Sequence, residues 1–234
     1  MRFQSTEAEG HKQQHLDTWV VVPLFNEATV IGSVVSRLIE DFVHVVCIDD
    51  GSTDGSAQVA REAGATVVQH PINLGQGAAL QTGFTFALQH GAKYVVTFDA
   101  DGQHRTEDAL LMVARAKEED LAIVFGSRFL DDRTDPGFMK KIVLKTAVAV
   151  TNLLTRTKLT DAHNGLRVIR RDALERINLR QDRMAHGTEI IVQLGRTGLP
   201  YAEQPVEVLY TDYSKAKGQS LLNSINILVD LFIR

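Results

Sequence analysis

One cysteine in 234 residues, Cys47, stands inside the apolar run Val45-Val46-Cys47-Ile48; no intrachain disulfide can form and the paired spacings of zinc sites are missing. A reducing compartment follows. Long hydrophobic runs are missing as well. The nearest, Ile142 to Leu154 and Leu221 to Ile233, are interrupted by polar residues and fall short of the roughly 18–20 apolar residues that a membrane-spanning helix needs. The polar opening from Met1 to Asp17 has no apolar core of a signal peptide and reads as a flexible tail. There is no excess of basic charge: 25 Lys+Arg against 29 Asp+Glu give −4, which argues against a dedicated nucleic-acid-binding protein. With no linker, low-complexity tract or internal repeat, residues 18–234 read as one domain.

What is present is an alternation. Trp19 to Val22, Val43 to Ile48, Ala65 to Val68, Tyr94 to Phe98 and Ala122 to Phe125 are short, branched runs suited to strands buried on both faces. Between them, Ala28 to Glu40, Ser56 to Ala63, Ala78 to His90 and Glu107 to Glu119 carry apolar residues at helical spacing. The pattern predicts an α/β fold with a mostly parallel, Rossmann-like sheet flanked by helices. The second half is less regular: helices over Phe138 to Leu154, Asp172 to Ile177, Thr188 to Arg196 and from Ser220, and strands over Leu166 to Ile169 and Ala202 to Tyr210.

Ligands of such sheets bind beyond the carboxyl ends of the strands, so chemistry is sought there. The first strand ends in Pro23-Leu24-Phe25-Asn26-Glu27 and the second in Asp49-Asp50-Gly51-Ser52-Thr53-Asp54. Asn26 and Asp54 also suit helix caps. Two adjacent carboxylates repel unless donors or a cation meet them, which points to a ribose, a base N–H or a metal. After the third strand, Gly75 and Gly77 precede a helix whose free N–H groups favour an anion. This is neither a dinucleotide fingerprint nor a P-loop. Past the fourth strand, Asp99 and Asp101 alternate in Asp99-Ala100-Asp101-Gly102-Gln103-His104 and can present carboxylates to one Mg²⁺ or Mn²⁺ whose shell a diphosphate completes.

In this order, the four pieces Pro23 to Glu27, Asp49 to Ser52, Asn73 to Gly77 and Asp99-Ala100-Asp101 resemble glycosyltransferase family 2, inverting enzymes of the GT-A fold that use nucleotide-diphosphate sugars. The resemblance implies that Pro23, Phe25, Asn26, Glu27, Asp49, Asp50, Asn73, Gly75 and Gly77 form the nucleotide-sugar site. By the same likeness Asp99 and Asp101 bind the donor and the metal. Within the family the chain is most similar to dolichyl- and polyprenyl-phosphate sugar synthases, through Asp99 to His104, Gly126-Ser127-Arg128 and Asp161-Ala162-His163-Asn164-Gly165-Leu166-Arg167. That narrower likeness implies Gln103 as a further metal ligand and Arg128, Asn164 and Arg167 toward the phosphate of a polyprenyl acceptor. Residues 18–128 would then hold the nucleotide sugar and 129–234 the acceptor. Relatives often carry Ser-Gly where this chain has Asn164-Gly165.

The expected chemistry displaces a nucleoside diphosphate from the anomeric carbon, the metal at Asp101 stabilising the leaving group. A phosphate acceptor is already nucleophilic. Arg128 would bind it, and Asp161 would orient it, or deprotonate it if the acceptor is instead a sugar hydroxyl of a surface glycan. Asp161 suits a turn or cap equally well.

Charge is distributed unevenly. Residues 133–183 hold twelve Lys+Arg and five Asp+Glu, a local +7 that leaves −11 elsewhere. Lys141, Lys145, Asn152 and Arg156 share one helical stripe while Phe138, Ile142, Ala149 and Leu153 share another, the pattern of a helix lying on an anionic membrane. A core-packing helix with a solvated face has the same pattern. Lys215 and Lys217 suit an interfacial loop near phosphates, before a last amphipathic helix. The expectation is an enzyme peripheral on the cytoplasmic face of the membrane, with a separate small integral-membrane protein as anchor.

Overall fold

The alternation becomes a seven-stranded sheet in a computed structural model that describes residues 15–131, 148, 152, 157–161, 164–180 and 185–209. In chain order the elements are β1 (Thr18–Leu24), α1 (Ile31–Asp41), β2 (His44–Asp49), α2 (Ser56–Glu62), β3 (Thr66–Gln69), α3 (Gln76–Gln89), β4 (Tyr94–Thr97), α4 (Thr106–Glu118), β5 (Ile123–Ser127), β6 (Arg167–Arg170), α5 (Arg171–Leu174), α6 (Ala185–Arg196) and β7 (Tyr201–Pro205). The strand order is β3-β2-β1-β4-β6-β5-β7. β1 pairs in parallel with β2 and β4, and β2 with β3. β6 runs antiparallel between β4 and β5, and β5 pairs in parallel with β7. The second half of the chain therefore completes the sheet begun by the first.

β1 is buried throughout because its two faces meet different helices. Val21 packs with Ile48 and Phe84 in one cluster; Val20, Val22 and Leu24 pack with Val34, Val35, Leu38, Met112 and Val113 in the other. Period-two alternation with apolar residues at both phases produces this three-layer arrangement. β3 departs from the expectation of double burial: as the edge strand it is partly exposed. α1 starts at Ile31 rather than Ala28, and ahead of it the N–H groups of Asn26, Glu27 and Ala28 donate to Ser52, Ser56 and Asp54 of the neighbouring loop.

Pro23 sits in a central strand without breaking it. The Val21 carbonyl accepts from Phe98 N–H beside β4, and the Leu24 carbonyl accepts from Asp50 N–H beside β2. Peptide groups alternate sides, so Pro23 turns its missing N–H toward the β4 side, past the end of that strand's ladder. The predicted helix over 138–154 lies outside the described residues apart from Val148, which is buried, and Asn152. Asn152 is no surface-stripe residue: its amide spans the turn 157–159, donating to the Leu159 carbonyl and accepting from Leu159 N–H and the Thr157 hydroxyl. The helix predicted from Ser220, Lys215 and Lys217 lie outside the described residues.

α3 rests unusually close to the sheet, since a Cβ added at Gly83 would be driven into Val21. Gly83→Ala is expected to destabilise the fold by about 1–3 kcal/mol, read as a lower urea midpoint at unchanged denaturant slope.

Candidate active site

At the carboxyl edge the loops after β1 and β2 are stitched together before any ligand arrives. Asn26, held at φ 53°, donates its N–H to Ser52 Oγ (2.9 Å) and accepts from Thr53 N–H at Oδ1 (3.0 Å). Glu27 N–H donates to Ser56 Oγ (2.8 Å), and Asp54 accepts from Ala28 N–H and Ser56 N–H, both at 3.0 Å. Asn26 thus ties loop to loop instead of capping its own helix. Phe25 is left exposed beside this junction, while Pro23 is buried in the strand.

The paired acids of β2 find protein donors. Asp50 accepts from His70 Nδ1 (2.8 Å), Leu74 N–H (2.9 Å) and Gly75 N–H (2.7 Å); Asp49 accepts from Gln69 Nε2 (3.1 Å). Asp49 Oδ1 nevertheless stays buried without a partner, and the glycine-rich loop turns the N–H groups of Leu74 and Gly75 onto Asp50. The anion at that loop is the protein's own. Gly75 adopts φ 95° to present its N–H, and Gly77 is buried in the first turn of α3. Asn73 is exposed.

Asp99 lies just beyond β4 with its carboxylate clamped. His104 Nε2 meets Oδ2 at 2.9 Å, Gln76 Nε2 approaches Oδ1 at 3.4 Å, and Gly165 packs so tightly against the carboxylate that a Cβ there would overlap it. The Asn164-Gly165 pair therefore needs glycine at its second position for a steric reason. Asp101 accepts from Gln103 N–H (3.0 Å), and Gln103 is buried. Burial, and next the nearby Asp99 charge, push the Asp101 carboxyl up to about 6. Two crowded carboxylates and an amide suit a hard divalent cation that neutralises them. Among the described residues no three His, Cys, Asp or Glu side chains form a self-sufficient metal cage. Such a site needs oxygens from a phosphate-bearing ligand, as Mg²⁺ commonly takes.

Across the sheet edge, Arg128 follows β5 and pairs in bidentate fashion with Asp161, Nε to Oδ2 at 2.6 Å and Nη2 to Oδ1 at 2.8 Å. Asp161 also accepts from Arg128 N–H (3.2 Å) and is 1% exposed, against 11% for the arginine side chain. Glu203 of β7 fixes this turn by accepting from Thr160 N–H and Asp161 N–H, and burial raises its carboxyl above the ordinary value. Between the two clusters lies Arg167, 4% exposed. Burial lowers its guanidinium to about 10, opposed by the charges of Asp99 and Asp161, so it remains cationic at neutral pH. Asn164 accepts from Leu166 N–H, and its buried Nδ2 has no partner.

Residues beyond β7 close over the loop of Asp101 to His104: His104 bridges to Val208, Leu209 N–H donates to the Gln103 carbonyl, and Asp108 accepts from Glu207 N–H. The contacts of His70 with Asp50, Gly165 with Asp99 and Glu203 with the turn at Thr160 and Asp161 are not legible in the sequence, because each joins residues distant along the chain. The +7 stretch is also less available than its sum suggests, since Arg170 pairs with Asp120 and Asp172, and Arg171 with Glu175.

Residues 19–177 match the family described as Glycosyl transferase family 2. The chain belongs to glycosyltransferase family 2. The UDP-N-acetylglucosamine–dolichyl-phosphate N-acetylglucosaminyltransferase of Methanococcus voltae is 27% identical over 92% of this glycosyltransferase and 94% of its own length. Polyprenol monophosphomannose synthase of Mycolicibacterium smegmatis is 34% identical over 69% of this chain and 64% of its own. Among solved structures, glucosyl-3-phosphoglycerate synthase of Mycobacterium tuberculosis in complex with Mn²⁺, UDP-glucose and phosphoglyceric acid superposes with a TM-score of 0.66 at 20% identity, covering 97% of this chain and 82% of that one. The same synthase has also been solved with Mg²⁺ and UDP. The glycosyltransferase accordingly has the GT-A fold, and among its described residues no helix is long and apolar enough to cross a membrane.

Asp101 yields a test that needs no substrate. Because its folded-state value is raised from 3.8 to about 6, the native chain holds that proton more tightly than the unfolded chain. The ionised side chain therefore weighs on stability progressively as pH rises through this window, and fully above it. In the absence of divalent cation, Asp101→Asn is expected to stabilise the glycosyltransferase at about pH 8 by on the order of 2 kcal/mol, several degrees in Tm. At about pH 4 the gain should vanish; a gain of the same size at both pH values would contradict the assignment.

Proposed function

We propose that this glycosyltransferase moves a hexose or N-acetylhexosamine from a nucleotide-diphosphate sugar, with uridine as the base, to a polyprenyl phosphate at the cytoplasmic face of the membrane, inverting the anomeric centre. The observation that carries the reading is the placement of Asp99, Asp101 and Gln103 on one side of buried Arg167 and the Arg128–Asp161 pair on the other. One end suits a metal-bound diphosphate and the other a second anion. In this reading Phe25 offers its exposed ring to the base, and Asn26, Glu27 and Asp50 frame the nucleotide with Asn73 and Gly75 at its edge.

Asp101, Asp99 and Gln103 would hold Mg²⁺ or Mn²⁺, which when bound stabilises charge on the departing diphosphate. An oxygen of the acceptor phosphate attacks the anomeric carbon as the bond from that carbon to the diphosphate oxygen breaks, releasing the nucleoside diphosphate. Arg128 receives the acceptor phosphate with its orientation set by Asp161, and the unengaged Asn164 Nδ2 adds a neutral donor. Arg167 offsets the charge of Asp99 and Asp161 from beneath. The protein chiefly brings two anions into line, a proximity effect.

A sugar hydroxyl as acceptor would need a base. Asp161, the candidate for that role, has both oxygens turned to Arg128, which favours the phosphate acceptor that needs none. The dolichyl- and polyprenol-phosphate chemistry named for two relatives supports the same choice.

Purified enzyme with Mn²⁺ or Mg²⁺, undecaprenyl phosphate and a panel of labelled UDP-sugars should put label into a chloroform-soluble product on thin-layer plates. Asp101→Ala should lower turnover by at least about a hundredfold, and Arg128→Lys should raise the KM for the lipid because a point charge replaces a planar fork. Label appearing only in lipid-linked or free saccharides would overturn the monophosphate acceptor.

A further inference from the structure

His70 has no place in the chemistry described so far, yet its side chain is only 9% exposed and both of its ring nitrogens are engaged. Nδ1 lies 2.8 Å from Asp50 Oδ1, and Nε2 lies 2.9 Å from Thr82 Oγ1 on α3. The carboxylate of Asp50 can only accept, so Nδ1 donates to it, while the Thr82 hydroxyl is the partner of Nε2. Asp50 receives two donors on Oδ1, from His70 and Leu74 N–H, and one on Oδ2, from Gly75 N–H. A carboxylate accepts about four hydrogen bonds. One acceptor direction, on Oδ2, remains for a ligand.

The same loop is pressed onto the β2 turn from another direction. His70 N–H donates to the Asp49 carbonyl at 2.8 Å, and a Cβ on Gly51 would meet the Ile72 carbonyl carbon at 2.8 Å and Asn73 N at 2.9 Å. Residues 70–75 and 49–51 are therefore one unit, and His70 is the side chain that ties it to α3.

We propose that His70 is a positioning residue for the nucleotide donor: it sets the rotamer of Asp50 so that the remaining Oδ2 direction meets a hydrogen-bond donor of the nucleoside, and it anchors the loop that carries Asn73 and Gly75. The inference rests on the nucleotide-sugar reading of the site. Its effect falls on donor binding rather than on the transfer step, because His70 touches neither the acidic cluster beyond β4 nor the Arg128–Asp161 pair.

The amide variants separate this role from simple packing. Asparagine places its Nδ2 donor near the position of imidazole Nδ1 and keeps the bond to Asp50; glutamine reaches the position of Nε2 and keeps only the bond to Thr82. Affinities for UDP and for GDP, each with Mn²⁺, are measured by calorimetry on the full chain, alongside thermal melts. His70→Asn should stay within about threefold of the parent, while His70→Gln should weaken the preferred nucleotide about tenfold, the value of one lost charge-assisted hydrogen bond. In turnover assays His70→Gln should raise the donor KM and leave kcat within about twofold. Thr82→Val, which keeps the imidazole and loses its outer partner, should weaken binding in the same direction by about threefold. Equal affinities for His70→Asn and His70→Gln would overturn the positioning role while leaving the donor site intact. A parent chain that binds neither nucleotide would overturn the donor reading and this inference with it.

Discussion

Removing an ionised carboxylate from water without supplying donors costs several kcal/mol, a large part of the stability of a domain this size. At the carboxyl edge of the sheet, Asp49, Asp50 and Asp161 are buried and Asp99 and Asp101 partly so. The local structure follows from how each is met. Asp50 draws the N–H groups of Leu74 and Gly75 onto itself and so shapes the loop before α3; Asp161 orders Arg128; Asp99 takes His104 and requires glycine at position 165. Asp101 is raised to about 6 by burial and by its neighbour Asp99, and burial raises Glu203 as well.

That arrangement separates two kinds of residue in the site. Asn26, Ser52, Ser56 and Asp54 bond one strand-end loop to the next, and Asp50 holds the loop before α3. Asp101 has its carboxyl raised by burial and by Asp99, Asn164 keeps a buried donor without a partner, and Arg167 is buried with the charges of Asp99 and Asp161 acting on it. Fixed loops and buried charge fit the proposed transfer between two anionic substrates, in which most of the work is alignment and charge stabilisation.

The second half of the chain supplies the other constraint. β6 enters antiparallel between β4 and β5, which brings Gly165 against Asp99 and sets Arg167 between the two acidic groups. The segment after β7 then lies over Gln103 and His104. The two halves of the chain are consequently coupled; a shift of β6 would move Gly165 and Arg167 together against Asp99.

Strand and helix positions in the first half were readable because burial on both faces demands uninterrupted branched residues and helices demand their own period; β1, β2, β4 and β5 lie within a residue or two of the apolar runs that marked them. Asp99 and Asp101 stand out in the sequence because ligand sites in such sheets follow strand ends, whereas Gln103 and Arg128 stand out only through the family resemblance. Sequence alone therefore determined the fold class, the family and the strand-end acids. Which donors those acids face was decided only by the tertiary structure. His70 meets Asp50 across 20 residues, Arg128 meets Asp161 across 33, and Gly165 touches Asp99 only through the insertion of β6. Periodicity and strand-end position are local properties written along the chain. Hydrogen-bond saturation depends on which loops the sheet order brings side by side, and that order appears only once the core has packed.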